Sequence, residues 1–329
     1  MHKHYKIILM LGLATFLSCK NNQTSTEMTN LTEYKKTKFI TTLESQVSDS
    51  KNSVYCVTLL YAWDKIRKVI NAPLKIESKL QDLTILNNSK SYLNALKPDE
   101  YSATGEIEGD LVRAKAVFKK SLPYETALKS FTNHLIFNNV KVASFGIEGT
   151  EYIFSNIITI LYYENDDNFV IKLQPKDKLH EIILYKSEGK FKTMLEIIAK
   201  INYYIEIGKI EVKNDNLNWK YYLDTQDIVV IPKLKFDIQS NYSELEGNRF
   251  MSNKKTYQIE TVWQRTKFTL DEKGAEIQSE VDIAAAFDDL AKPKRLVFDK
   301  PFFLMMKRVN NKNPYLGLWI TNSEFMVRE

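Results

Sequence analysis

Apolar and polar residues alternate through much of the second two-thirds of the chain, and the alternation predicts strands. "DLVRAKAVFKKSLPYE" places Val112, Ala114, Ala116 and Phe118 on one side, the period of a half-buried strand. "VKVASFGI", "EYIFSNIITILYY" and "NFVIKLQP" follow, the last two separated by the turn-like residues 164–167. "QDIVVIPKLKFDI" is a long β-rich run in which Pro232 marks an edge or a bulge. "QIETVWQRTKFTL" alternates again and leads into a further alternating stretch. There Ala275, Ile277, Ser279, Val281 and Ile283 face one way, and Glu276, Gln278, Glu280 and Asp282 the other.

Helical spacing is confined to fewer segments. "VYCVTLLYAWDKIRKVI", residues 54–70, reads as a buried helix that ends before Asn71-Ala72-Pro73. "KFKTMLEIIAKINYY" reads as an amphipathic helix, and short helices are expected at Leu80–Leu86 and Lys90–Leu96. The expected organisation is a signal peptide over 1–18, a polar tether over 19–50 with helical tendency near Leu31–Leu43, and one domain over 51–329. A basic start, an apolar core from Ile7 to Leu17 and then Ser18-Cys19 fit an export signal with a lipidation box. Cys19 is the expected lipidated residue, tethering an exported protein to a membrane surface; without lipidation the location is extracellular or periplasmic.

Composition changes this picture little. The chain has 329 residues, 44% apolar and 26% charged, with 18 Tyr and 17 Phe, ordinary globular usage with a lean towards β-structure. A net charge of +5 is spread along the chain without a basic stripe, so nucleic acid is not an expected partner. Besides Cys19 the only cysteine is Cys56, read as a small core residue.

The inventory for catalysis is thin. His2 and His4 fall in the signal, and His134 and His180 stand without ligand-spaced partners, so neither a metal nor a cofactor is expected. No nucleophile elbow, dinucleotide fingerprint or phosphate loop occurs. Asp166-Asp167 and Asp288-Asp289 suit turns or loops. The chain does not read as an enzyme.

The segment "KFTLDEKGAEIQSEVDIAAAFDDLAKPKRLVFDKPFFLMMKRVNNKNPYLGLWI" resembles the C-terminal part of the serpins, a superfamily of serine-protease inhibitors. The likeness is carried by the hinge-like Glu272-Lys273-Gly274, the alanine-bearing tract 275–295, and Asp299-Lys300-Pro301-Phe302. "RAKAVFKKSLPYE" and "DIVVIPKLKFDI" are similar to family strands farther upstream, and only residues 72–111 stand where the family has several helices and two strands.

The resemblance implies an α+β serpin-like fold. Its expected parts are a large central mixed sheet, a second sheet and flanking helices, reduced in the N-terminal helical region. It implies a reactive-loop-like segment over 274–298 and a bait-loop mechanism, in which a target protease of serine or cysteine type cleaves the loop and is trapped as the hinge arm enters the central sheet. The hinge residues would be Glu272, Gly274, Ala275, Ile277, Ser279 and Val281, and the cleaved bond would lie among Phe287, Asp288, Asp289, Leu290 and Ala291. Inserted, the arm would bury Ala275, Ile277, Ser279, Val281 and Ile283 and no carboxylate. The bulk of Ile277-Gln278-Ser279-Glu280 would slow insertion, which leaves a second expectation: a non-inhibitory lipoprotein of the same fold that binds a ligand or partner.

Overall fold

The computed structural model describes residues 28–149, 156–275 and 293–328. The chain begins in β1 (Thr29–Asn30), β2 (Thr37–Ile40) and β3 (Asn52–Cys56), followed by helices α1 (Thr58–Ile70) and α2 (Gln81–Asn88). Next come β4 (Ser102–Glu108), β5 (Leu111–Lys119), β6 (Leu122–Pro123), β7 (Lys129–Phe137), β8 (Val140–Glu148), β9 (Ile158–Asn165), β10 (Asn168–Leu173) and β11 (His180–Lys186). Helix α3 (Met194–Glu211) leads to β12 (Ile228–Pro232), β13 (Leu234–Asn241), β14 (Arg249–Ser252) and β15 (Lys255–Leu270). The chain closes with β16 (Gly274–Ala275), β17 (Arg295–Val297), β18 (Phe302–Arg308) and β19 (Leu316–Ile320).

Three larger sheets result, the α+β arrangement expected. The central sheet runs β1-β13-β15-β5-β4, with β14 also on β15. The second runs β2-β3-β19-β18-β11-β10-β9 and the third β17-β12-β8-β7. In the central sheet the alternation of β5 and β15 has its physical cause: Val112, Ala114, Ala116 and Phe118, with Ile259, Val262, Phe268 and Leu270, form a buried inner face. Helix α1 packs against β4 and β5. The approach is close at Gly105 on β4, where a Cβ would lie 2.6 Å from the Ala62 carbonyl, so a larger residue would push the helix off the sheet.

Some expectations are corrected. Residues 29–50 are not a tether: β2 pairs in parallel with β3, and Phe39, Ile40 and Leu43 are core residues. The helix expected over 54–70 starts only at Thr58, and Asn52–Cys56 is a strand buried on both faces. A strand covered on both sides loses its alternation and cannot be told from a buried helix by period. The short helix near Leu80 is present as α2, whereas Lys90–Leu96 forms turns, with Asn94 at φ 59°. Pro232 neither bulges nor kinks one strand. It ends β12, and Lys233 is the corner from which β13 enters a different sheet.

Candidate functional site

The central sheet has an unusual middle. β13 is antiparallel to β15 and β4 is antiparallel to β5, yet β5 and β15 themselves run parallel, from Gln258 opposite Leu111 to Lys267 opposite Lys119 with a one-residue shift at Glu260. A parallel pair enclosed by antiparallel neighbours is a seam, since one further strand placed between β5 and β15 could run antiparallel to both. Parallel pairing is also slightly weaker per residue.

The turn expected to act as the hinge stands at one end of this seam. β15 ends at Leu270, and the chain reverses within Asp271–Gly274, where Asp271 and Gly274 exchange backbone hydrogen bonds of 3.1 and 3.2 Å. Gly274 and Ala275 then pair antiparallel with Pro123 and Leu122 of β6. The Tyr124 amide donates to the Lys273 carbonyl at 3.0 Å and the Leu128 amide to the Glu272 carbonyl at 2.7 Å. Gly274 has φ +103°, and an added Cβ would sit 2.6 Å from the Tyr124 nitrogen and 2.7 Å from the Leu122 oxygen. Only glycine meets both conditions. The Glu272 carboxylate pairs with the Lys233 ammonium at 2.6 Å, and Lys233 Nζ also donates to Ser130 Oγ at 2.8 Å. Burial pushes the Asp271 carboxyl above the usual range, with Glu272 adding to the shift.

Beneath the seam lies a polar layer. Gln264 and Thr266 occupy inner positions of β15 and are fully buried. Gln264 Nε2 donates to Thr58 Oγ1 at 2.6 Å and to the Cys56 carbonyl at 3.2 Å, and its Oε1 accepts from Tyr242 OH at 2.7 Å. The Thr266 hydroxyl meets the Cys56 thiol, a weak hydrogen-bonding group. Burial pushes that thiol up to about 11, so it is neutral. On the outer face, Arg113 pairs with Glu108 and Glu260, and Arg265 pairs through two nitrogens with Asp237.

The chain re-enters the described fold at a second fixed point. The Lys294 ammonium lies 2.7 Å from Asp227, both buried, and the Lys294 amide donates to the same carboxylate at 2.6 Å. Asp227 also accepts from the Asp224 amide at 2.8 Å. β17 then pairs in parallel with β12, with the Ile228 amide donating to the Lys294 carbonyl at 3.0 Å. Farther on, the buried Lys186 holds Asp167 at 2.9 Å and Asp299 at 2.8 Å.

A partly buried cluster joins β11 to the turn before β4. His180 Nε2 lies 3.0 Å from Glu100 and Nδ1 3.1 Å from Tyr315 OH, while Lys120 and Arg308 also reach Glu100, at 2.9 and 3.0 Å. Burial alone would raise the Glu100 carboxyl, but the Lys97 amide and the Lys120 ammonium outweigh it and hold the group at about 2. Burial lowers His180, and Lys120 lowers it further. A neutral, hydrogen-bonded histidine results. Among the described residues no group of three His, Cys, Asp or Glu could hold a metal ion.

The structure therefore brings Glu272, Gly274 and Ala275 together at one turn. The other expected residues, namely Ile277, Ser279 and Val281, Phe287, Asp288, Asp289, Leu290 and Ala291, and Cys19 with its signal, lie outside the described residues. Sequence reasoning missed Lys233, Asp227 and Lys294, whose partners are far away along the chain. It also missed Gln264 and Thr266, although polar residues at inward positions of an alternating strand are a readable signal.

The turn at Glu272–Gly274 and the return strand leading into the buried β18 and β19 stand in the order that the resemblance implied, and the parallel pairing of β5 with β15 was not expected. The described residues form an α+β fold of three larger sheets and three α-helices. Solved structures similar to the chain include Serpin48, a highly specific serpin of the insect Tenebrio molitor, at 14% identity and a TM-score of 0.34, over 75% of this chain and 66% of that one. The thermophilic serpin tengpin in its native state is similar at 15% identity and a TM-score of 0.39, over 75% and 63%. Mouse protein Z-dependent protease inhibitor is similar at 16% identity and a TM-score of 0.37, over 64% and 55%. The chain thus spans less than two thirds of the length of these serpins. No protein-family model and no curated protein matches it.

Proposed function

We propose that this protein is a bait-loop protease inhibitor, exported and anchored to a membrane surface by a lipid on Cys19, and that it acts without catalytic residues of its own. The observation that carries the reading is the parallel seam between β5 and β15, with the hinge turn at its head. A target protease attacks a carbonyl among residues 287–291. Its nucleophile forms an acyl bond to the loop, the peptide bond breaks, and the new amino terminus leaves with the proton. The hinge-side arm, still attached at Gly274, then enters the seam and carries the acylated protease with it before water completes hydrolysis.

Insertion exchanges one parallel ladder for two antiparallel ones and buries Ile277, Val281 and Ile283 against Phe268, Gln264 and Val262. Three aliphatic side chains removed from water supply roughly 5–9 kcal/mol, and the outward residues stay hydrated. The test is incubation with a panel of serine and cysteine proteases followed by denaturing electrophoresis. A covalent complex that survives boiling in detergent supports inhibition; cleavage within 287–291 without complex across the panel overturns it.

A second reading keeps the fold without the trap. It is favoured by the bulk of Ile277-Gln278-Ser279-Glu280, which slows the arm relative to hydrolysis. In that case the protein binds a ligand or partner and is cut by proteases as an ordinary substrate.

A further inference from the structure

His180 is bonded at both ring nitrogens by groups that fix its protonation state. Nε2 lies 3.0 Å from Glu100 Oε1, and Nδ1 lies 3.1 Å from the Tyr315 hydroxyl. The Glu100 carboxylate only accepts, so Nε2 carries the hydrogen, Nδ1 accepts and the Tyr315 hydroxyl donates. A second proton on Nδ1 would set two donors against each other. Tyr315 is fully buried, and its hydroxyl has no second hydrogen-bond partner among the described residues. Turning its hydrogen away would leave a buried donor unpaired.

The charges around the ring balance only while it is neutral. Glu100, and Asp177 at 3.5 Å from Nε2, are matched by Lys120 and Arg308, which lie 2.9 and 3.0 Å from Glu100. Lys178, close by in the chain, is directed at Glu125. The His180 side chain is 1% exposed, so a further charge there is neither matched nor hydrated. Burial and Lys120 disfavour it more than Glu100 and Asp177 favour it.

The same residues stand at strand ends. Glu100 precedes β4, Lys120 lies between β5 and β6, His180 opens β11 opposite Arg308 of β18, and Tyr315 precedes β19. Arg308 reaches both Glu100 oxygens, at 3.1 and 3.0 Å, whereas Lys120 reaches one. Lys120 is therefore the cation that a charged His180 displaces.

We propose that His180 is a proton-operated catch between the central and second sheets. Neutral, it holds the β5–β6 connection through Glu100 and Tyr315; protonated, it drops the Tyr315 bond and expels Lys120. The release reaches the turn at Asp271–Gly274, because Gly274 and Ala275 pair with β6. The catch holds above the ordinary histidine value of 6.5 and opens as pH falls through the lower folded value. It operates whether or not the protein traps a protease.

The test combines nitrogen-15 NMR of the ring with amide exchange, each rate divided by its intrinsic rate, from about pH 7.5 down to about 5. At the upper end His180 should show the Nε2–H tautomer. As the ring takes its second proton, protection of the Tyr124 amide, which bonds the Lys273 carbonyl, should fall roughly five- to fiftyfold with the same midpoint, while amides of α3 keep theirs. His180→Gln donates to Glu100 and accepts from Tyr315 but takes no proton, so its Tyr124 protection should stay constant. Tyr315→Phe removes the opposed donor, so its ring should protonate at higher pH with a smaller loss of protection. Unfolding midpoints at the upper pH confirm that both variants fold. The catch is overturned by a ring that stays neutral down to about pH 5, by a neutral ring with its hydrogen on Nδ1, by protonation that leaves Tyr124 unchanged, or by an equal loss in α3 or in His180→Gln.

Discussion

Glu272 at the hinge and Lys233 at the corner between β12 and β13 form an ion pair of 2.6 Å. The contact joins the turn at Asp271–Gly274 to the point where the chain passes from the third sheet into the central one. Both side chains are largely covered, so breaking the pair costs more than a surface salt bridge does. Lys233→Met is expected to destabilise the protein by about 1–3 kcal/mol and to loosen the hinge. Urea unfolding measures the first effect, and faster hydrogen exchange at the Tyr124 and Leu128 amides, which bond to hinge carbonyls, measures the second.

Gly274→Ala adds a Cβ where φ is +103° and backbone atoms stand 2.6–2.8 Å away. The turn must shift. A loss of about 1–3 kcal/mol is expected, together with loss of the Gly274–Pro123 pairing, visible as reduced exchange protection at β6. Unchanged stability and protection would show that the turn does not require a left-handed residue.

Asp227 and Lys294 are both buried, and Asp227 accepts from the Lys294 ammonium, the Lys294 amide and the Asp224 amide. Asp227→Ala leaves two amides without that acceptor and a buried ammonium with only the Trp219 carbonyl at 3.2 Å, and a loss of about 3–5 kcal/mol is expected. Replacing both residues by apolar ones of similar volume should cost less than Asp227→Ala alone. Equal losses for the two variants would locate the stability in packing, not in the ion pair.

The His180–Glu100 cluster makes stability depend on pH in one direction. The folded state depresses His180 below its ordinary 6.5, so its contribution is present above that pH and is lost as pH falls through the folded value. Glu100 is held at about 2 against an ordinary 4.5, so its contribution is lost as pH falls from 4.5 towards 2. Thermal midpoints measured downward from pH 7.5 should decline first below about 6.5 and again below 4.5. His180→Gln should remove the first decline and leave the second.

Residues whose neighbours are local were legible in the sequence. The alternations of β5 and β15, the amphipathic α3 and the hairpin of β9 and β10 depend on period and turn residues alone, whereas Gly274 was singled out through the resemblance and is crowded by Leu122 and Tyr124 far away along the chain. Cys56 was read as core, and it is. Long-range partners were not legible. Residues 37–40 look polar enough for a tether, with Thr37 and Lys38 before Phe39 and Ile40, until β3 is seen beside them. The split at Pro232 follows from which sheet each half joins, and Lys233 gains its meaning only from a glutamate 39 positions later.

The most direct test of insertion is the effect of a single cut. Purified protein cleaved once within 287–291 should melt well above the uncut form, with amides of β5 and β15 becoming more protected from exchange as a strand fills the seam. An unchanged or lower midpoint, with no added protection along β5 and β15, would contradict it.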